Sequence, residues 1–229
     1  MAHGSKTLTG APADPGDGGA AALERGRRLF AAECRFVAGA ATIEALPTAY
    51  LPEVAFAGRS NVGKSSLVNA LTGRRTLAYV SQRPGRTQQV NFFELAGRLM
   101  LVDLPGYGFA AIGRAEQQRW SALIEAYLAG RATLARVCLL IDARLGPTSL
   151  DREAMGLLDA AAVSYQAVLT KADEVTPEAL ASLTAALAAE LSRHAAAHPD
   201  IAVTSAKTGA GVPALRAAVA ALAAPVALV

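Results

Sequence analysis

Residues Gly58–Ser66 read GRSNVGKSS, and they follow the apolar run Val54–Ala57, VAFA. Gly58 and Gly63 enclose a short gap, and Lys64 and Ser65 come next. The pattern is G-x-x-x-x-G-K-[ST], set after a predicted strand, Glu53–Gly58, and before a predicted helix, Ser65–Gly73. In that setting the motif binds phosphate. Glycines let backbone N–H groups turn inward round a diphosphate, and the helix N-terminus adds positive potential. Lys64 is placed to reach the β and γ phosphates, and Ser65 to ligate Mg2+. Arg59, Ser60, Asn61 and Val62 complete the cradle.

Outward from this loop the chain alternates between strand and helix patterns. Gln89–Ala96 and Arg98–Asp103 read as two strands joined at Gly97. Arg114–Gly130 reads as an amphipathic helix with Trp120, Leu123, Ile124, Tyr127 and Leu128 on one face. Further strands are read at Ala135–Asp142, Ser164–Lys171 and Asp200–Ala206. Helices lie between and after them, at Leu150–Ala161, Thr176–Ala196 and Gly211–Ala224. Gly73 is a helix stop, and Thr176 with Pro177 forms a helix start. Such alternation predicts an α/β fold: a mostly parallel six-stranded sheet with one antiparallel edge strand and helices on both faces. Ahead of it, Met1–Ala22 is rich in Gly, Ala, Pro and Asp and reads as a disordered leader. Leu23–Phe36 reads as a short helix, and Leu46–Pro52 as extended because of its prolines. The globular domain is expected over residues 23–223, and a flexible tail over 224–229.

Composition agrees with one ordinary globular domain. The 229 residues are 52% hydrophobic, although alanine supplies much of this. No apolar run reaches the roughly 18 residues of a membrane span, and no secretory signal pattern opens the chain. Cys34 and Cys138 match no metal spacing and are expected as reduced thiols in the cytoplasm. The net charge of +3 is concentrated between Thr72 and Arg98, where Arg74, Arg75, Arg83, Arg86 and Arg98 face the single acid Glu94. Such a patch attracts phosphate backbones, and a solvated loop explains it equally well.

Further motifs fall at the carboxyl ends of predicted strands, where open α/β sheets bind ligands. Asp103-Leu104-Pro105-Gly106 is a D-x-x-G. Asp103 is placed to hold Mg2+ through water, and the Gly106 N–H to meet a γ-phosphate. Thr170-Lys171-Ala172-Asp173 offers a carboxylate that can accept both the N1–H and the N2 amino protons of guanine, a donor pair that adenine lacks. The Lys171 stem can lie along the base plane. Thr204-Ser205-Ala206 supplies backbone N–H groups for guanine O6. Thr87, in the segment Arg83–Gln89, can bind Mg2+ and sense the γ-phosphate in a loop that orders with triphosphate.

Taken in order, GRSNVGKSSL, PGRTQ, DLPGYG, TKAD and TSA resemble the EngB (YihA or YsxC type) family of bacterial GTPases, in the Era/TrmE-like group. The resemblance spans roughly residues 36–223. It implies a Ras-like GTPase domain, GTP and GDP binding with Mg2+, and Gly85, Arg86, Gln88 and Gln89 among the nucleotide contacts. Lys64, Thr87 and Gly106 would then be the catalytic groups. It further implies a role in large ribosomal subunit assembly, with a ribosomal precursor or its RNA as partner, and in normal cell division and septation. A monomer that binds neither membrane nor DNA is expected. Two positions depart from common GTPase patterns. Thr170 replaces the Asn whose amide braces the phosphate loop in many GTPases, and Tyr107 stands where Ras-type enzymes carry a water-orienting Gln. Slow intrinsic hydrolysis is therefore expected. Asn61 is a candidate K+ contact, or else a brace for the loop.

Other classes compete. A small-molecule P-loop kinase would need a lid and an acceptor pocket, and it leaves TKAD without a purpose. A nucleotide-gated binding module with negligible hydrolysis is compatible with Tyr107.

Overall fold

Apolar strands that must be covered on both sides set the architecture. The computed structural model describes residues 15–74, 89–107 and 114–225, the side chains of residues 15–17 and 114–121 apart. Its elements are α1 (Pro15–Ala31), β1 (Cys34–Ala40), β2 (Glu53–Gly58), α2 (Lys64–Thr72), β3 (Val90–Leu95), β4 (Leu99–Asp103), α3 (Arg114–Gly130), β5 (Leu134–Asp142), α4 (Ser149–Ala160), β6 (Tyr165–Thr170), α5 (Pro177–Leu191), β7 (Ala202–Val203) and α6 (Val212–Ala220).

The sheet has seven strands in the order β1-β3-β4-β2-β5-β6-β7. β1–β3 and β3–β4 pair antiparallel, and the remaining neighbours pair parallel. β5 shows how one strand serves two cores. Val137, Leu139 and Ile141 join α3, α4 and α5 through Leu123, Tyr127, Met155, Leu158 and Leu187. Cys138 and Leu140 face the other way, toward α1, α2 and α6 through Phe30, Leu67, Leu71, Leu215 and Val219. Burial on both faces explains the nearly unbroken apolar reading of β2, β4, β5 and β6.

The antiparallel strand of the predicted hairpin, β3, is not the edge. β1 lies outside it as a seventh strand, formed in part by Cys34–Phe36, which read locally as the end of a helix. Pairing outweighs local helix preference here: Phe36 meets Phe93 edge-on with ring centroids 5.7 Å apart, and Arg35 grips Glu94 with two bonds of 3.0 Å. The helix before it begins at Pro15 and ends at Ala31, so Ala22, the predicted end of the leader, lies within α1. Residues 1–14 fall outside the described set, as do 226–229. Ala224, predicted as tail, is pinned: its N–H donates to the Arg98 carbonyl at 2.9 Å, and Arg98 Nε donates back to the Ala224 carbonyl at 2.8 Å.

Several elements end earlier than their patterns suggest, α5, β7 and α6 (at Ala220) among them. α5 stops at Leu191 because Asp159 captures the next few residues, holding His194 Nδ1 at 2.6 Å and the Ala196 N–H at 3.1 Å. β7 covers only Ala202–Val203, and its pairing with β6 closes with the Thr204 N–H on the Leu169 carbonyl at 2.7 Å. The α3 face is as read, with Leu123, Tyr127 and Leu128 buried; the Trp120 side chain lies outside the described set. Among the described residues no helix is long and apolar enough to cross a membrane.

Candidate functional site

Strand register brings the motifs to one end of the sheet. Phe56 of β2 aligns with Asp103 of β4, Gly58 with Leu140 of β5, Asp142 with Thr170 of β6, and Leu169 with Val203 of β7. Every strand-end motif therefore opens onto the same edge.

The loop from Gly58 to Gly63 is tightly folded. A Cβ at Gly58 would lie 2.8 Å from Val62 Cγ1 and 3.1 Å from the Leu140 carbonyl oxygen, so the chain crosses there only as glycine. Gly63 has φ 101° and begins α2 in the left-handed region that glycine tolerates. Asn61 also has positive φ, 64°. Lys64 and Ser65 occupy the first turn of α2. The Lys64 ammonium pairs with the Asp103 carboxylate at the end of β4, where the lysine side chain is 11% exposed and the aspartate 3%. The D-x-x-G segment continues the β2–β4 ladder past its last strand residues. The Ser60 N–H donates to the Tyr107 carbonyl at 3.0 Å, and the Tyr107 N–H to the Gly58 carbonyl at 3.2 Å. Leu104 is buried beneath it. Pro105 and Gly106 complete the turn.

Thr170 resolves the question raised by the missing amide. Its hydroxyl donates to the Val62 carbonyl at 2.7 Å, so it braces the phosphate loop directly. Lys171, with φ 56°, donates to the Asn61 carbonyl at 2.8 Å and to Asp142 Oδ2 at 2.7 Å. Its stem thus runs across the loop between the two motifs. Asp173 comes next, in a single helical turn, Ala172–Glu174. The Ala172 N–H bonds the Thr204 carbonyl at 3.1 Å, which ties this turn to the Thr204–Ala206 segment. A cavity of about 320 Å³ is lined by Gly63, Thr170, Lys171, Asp173, Thr204 and Ala206 among others. That volume lies at the small end of the usual range for ligand sites. The Ser205 hydroxyl bonded to the Asp173 carboxylate holds it below the usual carboxylate range, with the Lys207 charge assisting. Asp173 is thereby kept as an acceptor.

Sequence reading missed several contributors. Asp142, which closes the apolar run CLLID, orients Lys171. Burial works to raise its carboxyl, yet hydrogen bonds from Arg144 and Lys171 outweigh burial and hold it well below the carboxylate range. Ser66, Glu174 and Lys207 also line the cavity, and Lys207 Nζ lies 3.9 Å from Asp173 Oδ2. Gln89 sits at this end of the sheet, but its side chain rests on Gly39 of β1. Gly85, Arg86, Thr87 and Gln88 lie outside the described residues, as do Arg75 and Arg83. Of the basic stretch, Arg74 donates to the Cys34 carbonyl and Arg98 to that of Ala224.

The described residues that could offer oxygen to a cation are Ser65 and Asp103, the latter paired here with Lys64. Among the described residues no group of three or more His, Cys, Asp or Glu gathers as a metal cage. Hard oxygen donors in small number, beside a phosphate loop, fit Mg2+, which keeps water and phosphate in its shell.

Comparison with known proteins agrees with this geometry. A family model described as "50S ribosome-binding GTPase" matches residues 53–171. A Rhodospirillum rubrum protein named probable GTP-binding protein EngB is 56% identical over 211 residues, covering 90% of this chain and 91% of its own. The Gluconobacter oxydans protein of the same name is 54% identical, covering 92% and 93%. Among solved structures, a probable GTP-binding protein engB superposes with TM-score 0.60 at 24% identity, over 74% of this chain and 97% of that one. Aquifex aeolicus Era bound to GDP and AlF4- superposes with TM-score 0.57 at 18% identity, over 75% and 56%. These two likenesses speak for a Ras-like fold.

Proposed function

Because the chain belongs to the EngB family of GTP-binding proteins, we propose that it is a slow GTPase switch that reads guanine through Asp173 and assists assembly of the large ribosomal subunit. The observation that carries the reading is the shared cavity: Gly63 of the phosphate loop, Asp173, Thr204 and Ala206 line one space. In this reading the backbone N–H groups of residues 59–65 cradle the phosphates, with Lys64 shared between Asp103 and the β–γ oxygens. Thr170 and Lys171 fix the loop against the base-reading turn, so phosphate and base ends are set at one spacing. Mg2+ held by Ser65, by Thr87 and through water by Asp103 would neutralise charge on the β and γ phosphates. The Gly106 N–H meets the γ-phosphate.

Slow turnover is supported by Tyr107. Its phenol donates to Asp151 Oδ1 at 2.9 Å, so it is committed elsewhere than to an attacking water. Asn61 stands exposed on the loop and is our candidate K+ contact; turnover should be faster in K+ than in Na+ buffer, and equal rates would remove that part. The ribosomal role is supported by the family description. We place its work in the cytoplasm as a monomer, with a further role in normal cell division and septation. The domain assigned to this work spans residues 23–223. The test is sedimentation of the purified protein with large-subunit particles. Co-sedimentation with a non-hydrolysable GTP analogue and release with GDP is the expected result. Equal association in both states would contradict a nucleotide switch.

A further inference from the structure

Asp151 lies in the first turn of α4 and is fully buried, 0% exposed. Half of it has an ordinary explanation. Oδ2 accepts from the Thr148 N–H and the Thr148 hydroxyl, both at 2.8 Å, a reciprocal cap for α4. The other half does not. Oδ1 accepts from the phenol of Tyr107, the residue after Gly106. Arg59, the residue after Gly58, brings its guanidinium Nε to 3.6 Å from Oδ2. Arg59 and Tyr107 are themselves paired backbone to backbone, in parallel. One buried carboxylate therefore bonds Tyr107 and lies within ion-pair range of Arg59, the two members of the pair that joins the phosphate loop to the D-x-x-G segment.

Gly106 has little freedom beside that pair. A Cβ placed on it would lie 3.2 Å from Ser60 Cα, N and Oγ, so its backbone rests directly on the phosphate loop. A shift of Tyr107 must carry Gly106 with it. The α4 cap uses only Oδ2 of Asp151; the costly burial of a charge gains a second use through Oδ1.

We propose that Asp151 is a positioning residue of the nucleotide site, acting through Tyr107 to preset the Gly106 N–H for a γ-phosphate and so to favour triphosphate over diphosphate. The inference rests on the guanine-nucleotide reading above. It predicts discrimination, not overall affinity, because the diphosphate touches the phosphate loop and not Gly106.

The experiment measures affinity for GDP and for a non-hydrolysable GTP analogue, with melting temperature, on the full chain. Tyr107→Phe removes one oxygen and leaves the α4 cap intact. Losing a hydrogen bond to a charged group should lower the ratio of analogue to GDP affinity about tenfold, with GDP affinity nearly unchanged. Thr148→Val is the structural control; it should lower the melting temperature and leave the ratio alone. Asp151→Ala removes both functions, so Tyr107→Phe carries the decision. A Tyr107→Phe ratio within about twofold of wild type, or an equal loss for both nucleotides, overturns the proposal. A wild-type chain that binds neither nucleotide would instead sink the underlying reading.

Discussion

At Thr170 a single hydroxyl holds the phosphate loop. Thr170→Val keeps the shape and leaves the buried Val62 carbonyl without that donor, which costs about 1–3 kcal/mol. Chemical denaturation should show that loss, together with weaker GDP binding. Asp142 makes a pH-dependent claim. Its carboxyl is depressed below the ordinary value of 3.8 because bonds from Arg144 and Lys171 outweigh burial. A depressed carboxyl contributes stability that is complete above the ordinary value and falls away as pH drops through the native one. Wild type should therefore be more stable than Asp142→Asn at pH 7, and the gap should close as pH falls below about 4. Urea unfolding at stepped pH measures it. Thr170, Lys171 and Asp173 were legible because a motif spaces them along the chain. Asp142 and Asp151 were not: beyond the nearby Arg144 and Thr148, each meets its partners only after β5, β6 and α4 are in place, and an aspartate at a strand end or a helix start looks like ordinary punctuation.

Among elements, the helix before the sheet was the least legible. Its opening residues, PGDGGAAA, resemble a linker, and Gly18–Ala21 are exposed, so the packing of this helix begins farther along. α1 lies against α6 so closely that a Cβ at Gly26 would sit 2.6 Å from the Ala217 nitrogen and 2.7 Å from the Arg216 carbonyl carbon. Two effects oppose each other in Gly26→Ala. Helix propensity favours alanine by about 1 kcal/mol, while overpacking against backbone costs about 1–3 kcal/mol. Backbone cannot swing aside, so the clash wins and melting should fall by a few degrees. Gly19 lies on the same helix with nothing within 4 Å of a Cβ, so Gly19→Ala should raise stability. Calorimetry of the pair would show opposite signs; a rise in both would mean that α1 does not seat on α6. β1 escaped notice for a related reason. Its pairing residues on β3 are distant in sequence, and Cys34–Phe36 reads locally as the end of a helix. By contrast, β2, α2 and α3 were read nearly to the residue, because glycines, caps and periodicity mark their ends locally.

The whole molecule stacks two cores on one sheet, and its chemistry lies along one edge of that sheet. Cys34 and Cys138 report on the integrity of this stack. Burial pushes the Cys34 thiol up to about 11 and the Cys138 thiol to about 12. Since thiolate is the reactive form, neither should react with a thiol reagent at pH 8 in the native state, and both should react after denaturation. Prompt native-state reaction would mean that the core around β1 and β5 opens easily. The fold class was legible as a rhythm of strands and helices, and the candidate site as a sequence of motifs at strand ends. The edge strand, α1 and the Asp151 contacts belong to tertiary pairing, which no local pattern announces.

The function proposed for the molecule depends above all on Asp173 reading guanine in the cavity beside the phosphate loop. Calorimetric titration of the purified chain with GDP and with ADP in Mg2+, for wild type and Asp173→Asn, decides the matter. Tight GDP binding and negligible ADP binding are expected, because a site built to pair with guanine rejects a base lacking those donors. Asp173→Asn should lose roughly a hundredfold in GDP affinity. ADP binding as tight as GDP, or an Asp173→Asn chain that holds GDP as well as wild type, would mean that Asp173 does not read the base.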